Sequence, residues 1–179
     1  MKAIIILLLI FIGQICYSQP SLTWNKIYDG PRHSNDGGVS ICNSNNGHYF
    51  VFGYTPSGGP SKVFILKINE LGDTLWTKTF TDIYDINTSI STNDGGCIFA
   101  GNALSSVLVK MDQNGNIVWI KNYLPQTVSI YDIKQTSSGY ICCGYRFGFF
   151  DGYVLKIRFD GSLIWEKLYP ATYIKQFFS

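Results

Sequence analysis

Charge is scarce in this 179-residue chain. Only 15% of its residues are Asp, Glu, Lys or Arg, and the formal net charge is +2. That falls to +1 once Lys2 leaves with the N-terminal leader described below, with 13 basic against 12 acidic residues. No basic field remains to hold nucleic acid or anionic lipid. Histidine is scarcer still: His33 and His48 are the two, both in loop-like segments, and His48 stands as a solvent-facing turn residue where other copies of the same turn carry glycine. There is no H-E-x-x-H, no G-x-S-x-G and no glycine-rich phosphate loop before a helix, so metalloprotease, serine-hydrolase and nucleotide chemistry have no carrier. No catalytic residue, cofactor-binding set or metal-ligand set can be assigned, and the expectation is a protein that is not an enzyme and takes no cofactor. Amphipathic helical periodicity is also missing, which excludes alternating βα units. With 46% hydrophobic residues the chain nevertheless has ample material for a packed core.

Long apolar runs are absent after the first dozen residues. Met1 and Lys2 precede an uninterrupted apolar stretch from Ala3 to Ile12, and Cys16 and Ser18 stand three residues and one residue before Gln19. This is the layout of a secretory signal peptide covering residues 1–18. The stretch is about half the roughly 20 residues that span a bilayer, so no membrane span is expected. Bulky Ile15 before Cys16 disfavours lipoprotein cleavage. An exported chain is expected, whether extracellular, on the cell surface or periplasmic.

Export would place Cys42, Cys97, Cys142 and Cys143 where disulfides can form. Their places in the sequence favour packing instead: Cys42 aligns with Ile90 and Ile133, Cys97 with Tyr49 and Tyr140, and Cys142 with Val51 and Phe99. Free cysteine packs as a small hydrophobe, adjacent Cys142 and Cys143 would face opposite sides of a strand, and no CxxC or Cys/His spacing suggests zinc. Core thiols are expected, with their disulfide state left open.

What the chain does have is one phrase said three times. Lys67 to Trp76 reads KINELGDTLW, Lys110 to Trp119 reads KMDQNGNIVW, and Lys156 to Trp165 reads KIRFDGSLIW. Trp24, Trp76, Trp119 and Trp165 are spaced by 52, 43 and 46 residues, and Gly53, Gly101 and Gly144 by 48 and 43. Units of this length cannot bury their apolar faces alone and must stack. The spacing divides the segment 19–179 into repeats of about 24–75, 76–118 and 119–164, with a partial copy at 165–179.

Each unit reads as strands. Trp-x-Lys-x-aromatic at Trp24, Trp76, Trp119 and Trp165 puts three side chains on one face at the two-residue period, and this segment is expected to be the first strand. Short strands follow near Val39–Cys42, Thr88–Ser91 and Tyr131–Lys134, then Tyr49–Tyr54, Cys97–Asn102 and Tyr140–Tyr145. Val63–Ile68, Val107–Met111 and Tyr153–Ile157 are continuous apolar runs, as strands buried on both faces are. Leu71-Gly72, Asn114-Gly115 and Asp160-Gly161 then mark a tight hairpin. Four antiparallel strands in about 45 residues describe a β-propeller blade, so the expected fold is all-β, a partial propeller of three complete blades plus the start of a fourth.

The patterns W-x-K-x-Y, T-x-D-G-G-x-I-x-x-G and V-L-x-K-x-D-x-x-G-x-x-x-W resemble the propeller repeats of secreted and cell-surface proteins common in Bacteroidota. Asp112 to Trp119 also resembles the tryptophan-docking repeat of pyrroloquinoline quinone-like propellers. The resemblance implies that Trp24, Trp76, Trp119 and Trp165 each pack between blades. An aromatic wedge removes about 150–250 Å² from water, roughly 4–6 kcal/mol before entropy. The alternative for each is an aromatic platform for sugars.

Lys67, Lys110 and Lys156 interrupt apolar strands, which is costly unless each ammonium is paired or reaches solvent. Structural ion pairs with Asp36, Asp85 or Asp132 are expected; a ring of cations lining a central channel is the alternative. Asn43–Gly47, Asn93–Gly95 and Asp112–Gly115 offer oxygens beside glycine as a calcium loop does, yet lack its remaining ligands, and turn chemistry accounts for them. Because propellers close with four to eight blades, three blades imply either a split or truncated frame, which is favoured, or chains that complete one another by self-association through open blade edges. The functional expectation is a non-catalytic binding or interaction scaffold for an unknown protein or glycan. The alternatives are a fragment resembling a quinoprotein enzyme and a glycan-binding surface adhesin.

Overall fold

The computed structural model describes residues 24–28, 36–55, 62–103, 105–123, 128–148 and 151–170. The leader, His33 and the Tyr173–Gln176 segment lie outside them. Period-2 patterning becomes twelve strands: β1 Gly37–Asn43, β2 Tyr49–Thr55, β3 Lys62–Ile68, β4 Thr74–Phe80, β5 Asp85–Ser91, β6 Cys97–Asn102, β7 Ser106–Met111, β8 Ile117–Asn122, β9 Val128–Thr136, β10 Gly139–Arg146, β11 Asp151–Ile157 and β12 Leu163–Tyr169. One 3₁₀ turn, Asn45–Gly47, joins β1 to β2. The strands form three antiparallel meanders in the orders β1-β2-β3-β4, β5-β6-β7-β8 and β9-β10-β11-β12. These are three blades of a partial β-propeller.

The structure corrects the phase of the repeat. The tryptophan strand is the last of its sheet rather than the first, because Trp76, Trp119 and Trp165 pair with Lys67, Lys110 and Lys156 of the preceding strand. Trp165–Tyr169 completes the third sheet, and Trp24–Tyr28 is not in a strand.

The sheets fan out from their first strands, with β1 packed on β5 and β5 on β9. A bulge bends each first strand: pairing skips Val39, Asn87 and Tyr131. The bent backbone closes on the facing second-strand glycine, which is why that glycine recurs. A Cβ on Gly144 would stand 1.8 Å from the Ser129 carbonyl oxygen, and one on Gly101 2.4 Å from that of Asp85, distances no side chain tolerates.

Two cores fill the two seams. Between the first and second sheets lie Phe50, Phe52, Val63, Ile65, Cys97, Phe99, Val109 and Met111, and between the second and third lie Ile98, Leu108, Ile130, Ile133, Tyr140, Cys142, Tyr153 and Leu155. A smaller cluster of Phe64, Leu66 and Ile68 packs under Trp24 and Tyr28 on the far side of the first sheet. The third strands record this arrangement. β7, in the middle sheet, is buried at every position, whereas β11 alternates buried and half-buried because one face of its sheet meets no blade among the described residues.

Candidate functional site

The recurrent Gly marks a seat for the recurrent Trp of the preceding unit. Gly72, Gly115 and Gly161 have φ of 75°, 82° and 79°, the left-handed region that glycine enters without strain. A Cβ at these positions would press on the indoles of Trp24, Trp76 and Trp119 at 3.0, 2.7 and 3.1 Å. Each turn leaves five residues between its paired strands, Asp112 to Asn116 in the middle copy, with a bulge at the strand end. Gly115 N–H donates to the Asp112 carbonyl at 3.1 Å, and only the glycine of Asn114-Gly115 has positive φ. Side-chain oxygens close them: Asp112 Oδ1 accepts from the Asn114 and Asn116 N–H groups, both at 2.8 Å, and Asn69 Oδ1 accepts likewise from Leu71 and Asp73; in the third copy Arg158 holds that position, and Asp160 Oδ1 accepts from the Ser162 N–H at 2.8 Å. Those oxygens serve the turn, and among the described residues no group of three His, Cys, Asp or Glu converges on a metal position.

The indoles are also tied by hydrogen bonds. Trp24 Nε1 donates to the Glu70 carbonyl at 2.8 Å, and Trp119 Nε1 to that of Phe159 at 2.9 Å. The aromatic four residues after the indole reinforces two of the seats: Tyr28 and Tyr123 donate to the Gly72 and Gly161 carbonyls at 2.8 and 2.5 Å. In the middle seat the equivalent aromatic is Phe80, which has no hydroxyl, and Lys78 donates to the Gly115 carbonyl in its stead.

The three lysines stand on the third strands, away from the innermost ones, and each finds a different partner. Lys67 Nζ crosses the first seam to the Gln113 carbonyl at 2.6 Å and lies 5.3 Å from the Phe50 ring centroid; burial pushes its ammonium below the usual lysine range. Lys110, 3% exposed, pairs with Asp94 at 2.8 Å and donates to the Met111 carbonyl at 2.9 Å. Lys156 Nζ donates to Thr136 Oγ1 at 2.5 Å. The expected acids Asp36, Asp85 and Asp132 are therefore not the partners: Lys67 meets a turn carbonyl of the next sheet, Lys110 a turn carboxylate of its own sheet, and Lys156 the hydroxyl at the end of β9. Asp94 sits in the β5–β6 turn, and its one acidic copy among NSNNG, STNDGG and QTSSG is the signal that could have found it. Burial works against the Asp94 charge, but bonds from Lys110, the Thr92 hydroxyl and the Gly96 N–H outweigh it and hold the carboxyl below its ordinary range.

Trp165 differs from its counterparts. Ile98, Ala100 and Leu108 on the middle sheet are fully buried, and the same repeat positions on the third sheet are Ile141, Cys143 and Val154. Of these Cys143 is exposed and the other two are half-buried. Trp165 is 37% exposed, with no turn glycine over it among the described residues, and Lys167 Nζ lies 5.7 Å from its ring. A shallow cleft of about 150 Å³ opens there between Asp132, Lys134, Ile141, Cys143 and Val154. Near one end of the sheet Tyr131 stacks on Tyr145 at 5.4 Å with rings 4° from parallel, and Phe147 leans on Tyr145 at 4.8 Å.

The titratable groups of the second seam are quiet. Burial pushes Tyr140 and Cys142 up to about 12 and Tyr123 and Tyr153 higher still, so all four stay protonated at neutral pH. Two larger clefts lie elsewhere, one of about 430 Å³ beside Lys78, Phe80 and Ile117 and one of about 240 Å³ beside Asp94, Lys110 and Tyr140.

No protein-family model matches the chain, and no curated protein sequence does. Solved structures do. A protein of unknown function from Bacteroides caccae is similar over 75% of this chain at 13% identity, with a TM-score of 0.52. A eukaryotic initiation factor is similar over 80% at 9% identity, with a TM-score of 0.57. The chain spans 47% and 35% of those proteins' lengths. At such identities the likeness is one of fold.

Proposed function

We propose that this protein is an exported, non-catalytic interaction scaffold whose third-sheet face, uncovered among the described residues, receives a further blade-like sheet surface, with a second copy of the chain as the first partner to test. The observation that carries this is the equivalence of Ile141, Cys143, Val154 and Trp165 to side chains that the other two sheets bury against a neighbour. An apolar face of that make-up favours association. The recurrent lysines, tyrosines and turn carboxylates are engaged in structural bonds, which supports a scaffold over an enzyme. Light scattering at tens of micromolar protein should show self-association, and Val154→Glu, which sets a carboxylate in the middle of the face, should shift the protein to monomer without changing its far-UV circular dichroism. A wild-type monomer that unfolds cooperatively would remove the proposal.

A second reading, a glycan-binding surface, is favoured by one observation: the stacked Tyr131 and Tyr145 with exposed Phe147 form an aromatic platform of the kind that receives sugar rings. Glycan-array binding that Tyr131→Ala abolishes would support it; an array blank for the wild type would exclude it.

A further inference from the structure

Cys42 on β1 and Cys97 on β6 belong to different blades yet meet in the core of the first seam. Hydrogen bonds clamp the backbone on both sides of the meeting point. Ser40 Oγ lies 2.7 Å from Ser89 Oγ, and Ser44 Oγ donates to the Gly95 carbonyl at 3.2 Å. Ser40 and Ser44 stand two residues before and after Cys42. Gly95 stands two residues before Cys97, and Ser89 two before Ser91, the β5 partner of Cys97. Within this clamp the two thiols lie near enough to shift each other's ionisation, and the Ser89 side chain acts on Cys42 as well. Their accessibility is unequal: Cys97 is fully buried, while Cys42 is half-buried at the edge of the seam. Lys67 and Lys110 act on Cys97 as nearby positive charges and Asp94 as a negative one.

We infer that Cys42 and Cys97 are a redox site, closing to an inter-blade disulfide by exchange with a disulfide-bearing oxidant. Cys42, the accessible partner, gives up its proton, and its thiolate attacks one sulfur of the oxidant's disulfide and expels the other. The mixed disulfide leaves Cys42 Sγ facing Cys97. Cys97 loses its proton in turn, attacks Cys42 Sγ and expels the second oxidant sulfur. Two protein thiols are thereby oxidised by two electrons, the oxidant is reduced to two thiols, and the two protons end on them. The interaction with Cys97 holds the Cys42 thiol below its ordinary range, as an attacking group requires, while that interaction and burial raise Cys97 until Cys42 has reacted. Cys142 and Cys143 offer no such pair, since one is buried in the second seam and the other faces out of the third sheet.

The test uses the reduced protein equilibrated with increasing glutathione disulfide, alkylated with N-ethylmaleimide after denaturation, and mapped by mass spectrometry. A dithiothreitol-sensitive Cys42–Cys97 cross-link should form within the monomer. Closing a 55-residue interval should raise the melting temperature by about 10 °C, reversibly on reduction. In Cys97→Ala, Cys42 should instead retain one glutathione. Full alkylation of both cysteines after equilibration with excess oxidant would overturn the inference, and so would cross-links found only through Cys143.

Discussion

Trp119→Ala is expected to lower stability by about 3 kcal/mol in urea denaturation, whereas Trp165→Ala, the same substitution one unit later, should cost less than about 1 kcal/mol. Truncating a packed tryptophan costs about 3–5 kcal/mol. The low end applies because one edge of Trp119 meets solvent. Its loss empties the seat on Gly161, deprives the Phe159 carbonyl of its donor and opens the second core. Trp165 has no such seat among the described residues, and its ring already faces water and Lys167. Equal losses from the two substitutions would mean that the indoles do not act as wedges between sheets.

The Lys110 and Asp94 pair should be asymmetric. Lys110→Met is expected to change stability by no more than about 1 kcal/mol, in either direction, because an unbranched apolar chain of similar length fills the same channel and a buried charge disappears. Asp94→Ala should cost roughly 2 kcal/mol, since it leaves a 3% exposed ammonium with the Met111 carbonyl alone. The figure sits below that of a fully buried pair because the Asp94 side chain is 61% exposed. Combining the two changes should restore most of the loss. The same pair sets an acid limb. Asp94 has a folded pKa depressed below its unfolded value, so its stabilisation is complete above about pH 4 and is lost as pH falls through the folded pKa. Lys110→Met should flatten that limb in chemical denaturation between about pH 5 and 2. An equally steep limb in the variant would show that Asp94 does not titrate against Lys110.

The strands from Val39 onward and the recurrent Trp, Gly and Lys were legible in the sequence because each leaves a periodic trace, whereas Trp24–Tyr28, expected as one more strand, is not in one. Phase was not. A repeat looks the same wherever it is cut, and the cut is made by which backbone Trp76 pairs with, β3 in fact, which no composition signal marks. The lysine partners were hidden for a related reason. Lys67, Lys110 and Lys156 occupy one repeat position but end at a carbonyl of the next sheet, a turn carboxylate and a β9 hydroxyl, since the partner depends on residues outside the repeated motif. Aligning Cys42 with Ile90 placed it correctly in a core. It could not show that Cys97 arrives at the same point from the next sheet, because a contact between units is invisible to an alignment of units.

The seats at Gly115 and Gly161 both set a left-handed glycine against the indole of the preceding unit, and neither refers to how many others exist. Nothing in such a joint counts. Copying a stretch of coding sequence in frame would insert one more petal whose two flanks already match what they meet, so the length of the arc is set by gene duplication rather than by folding chemistry.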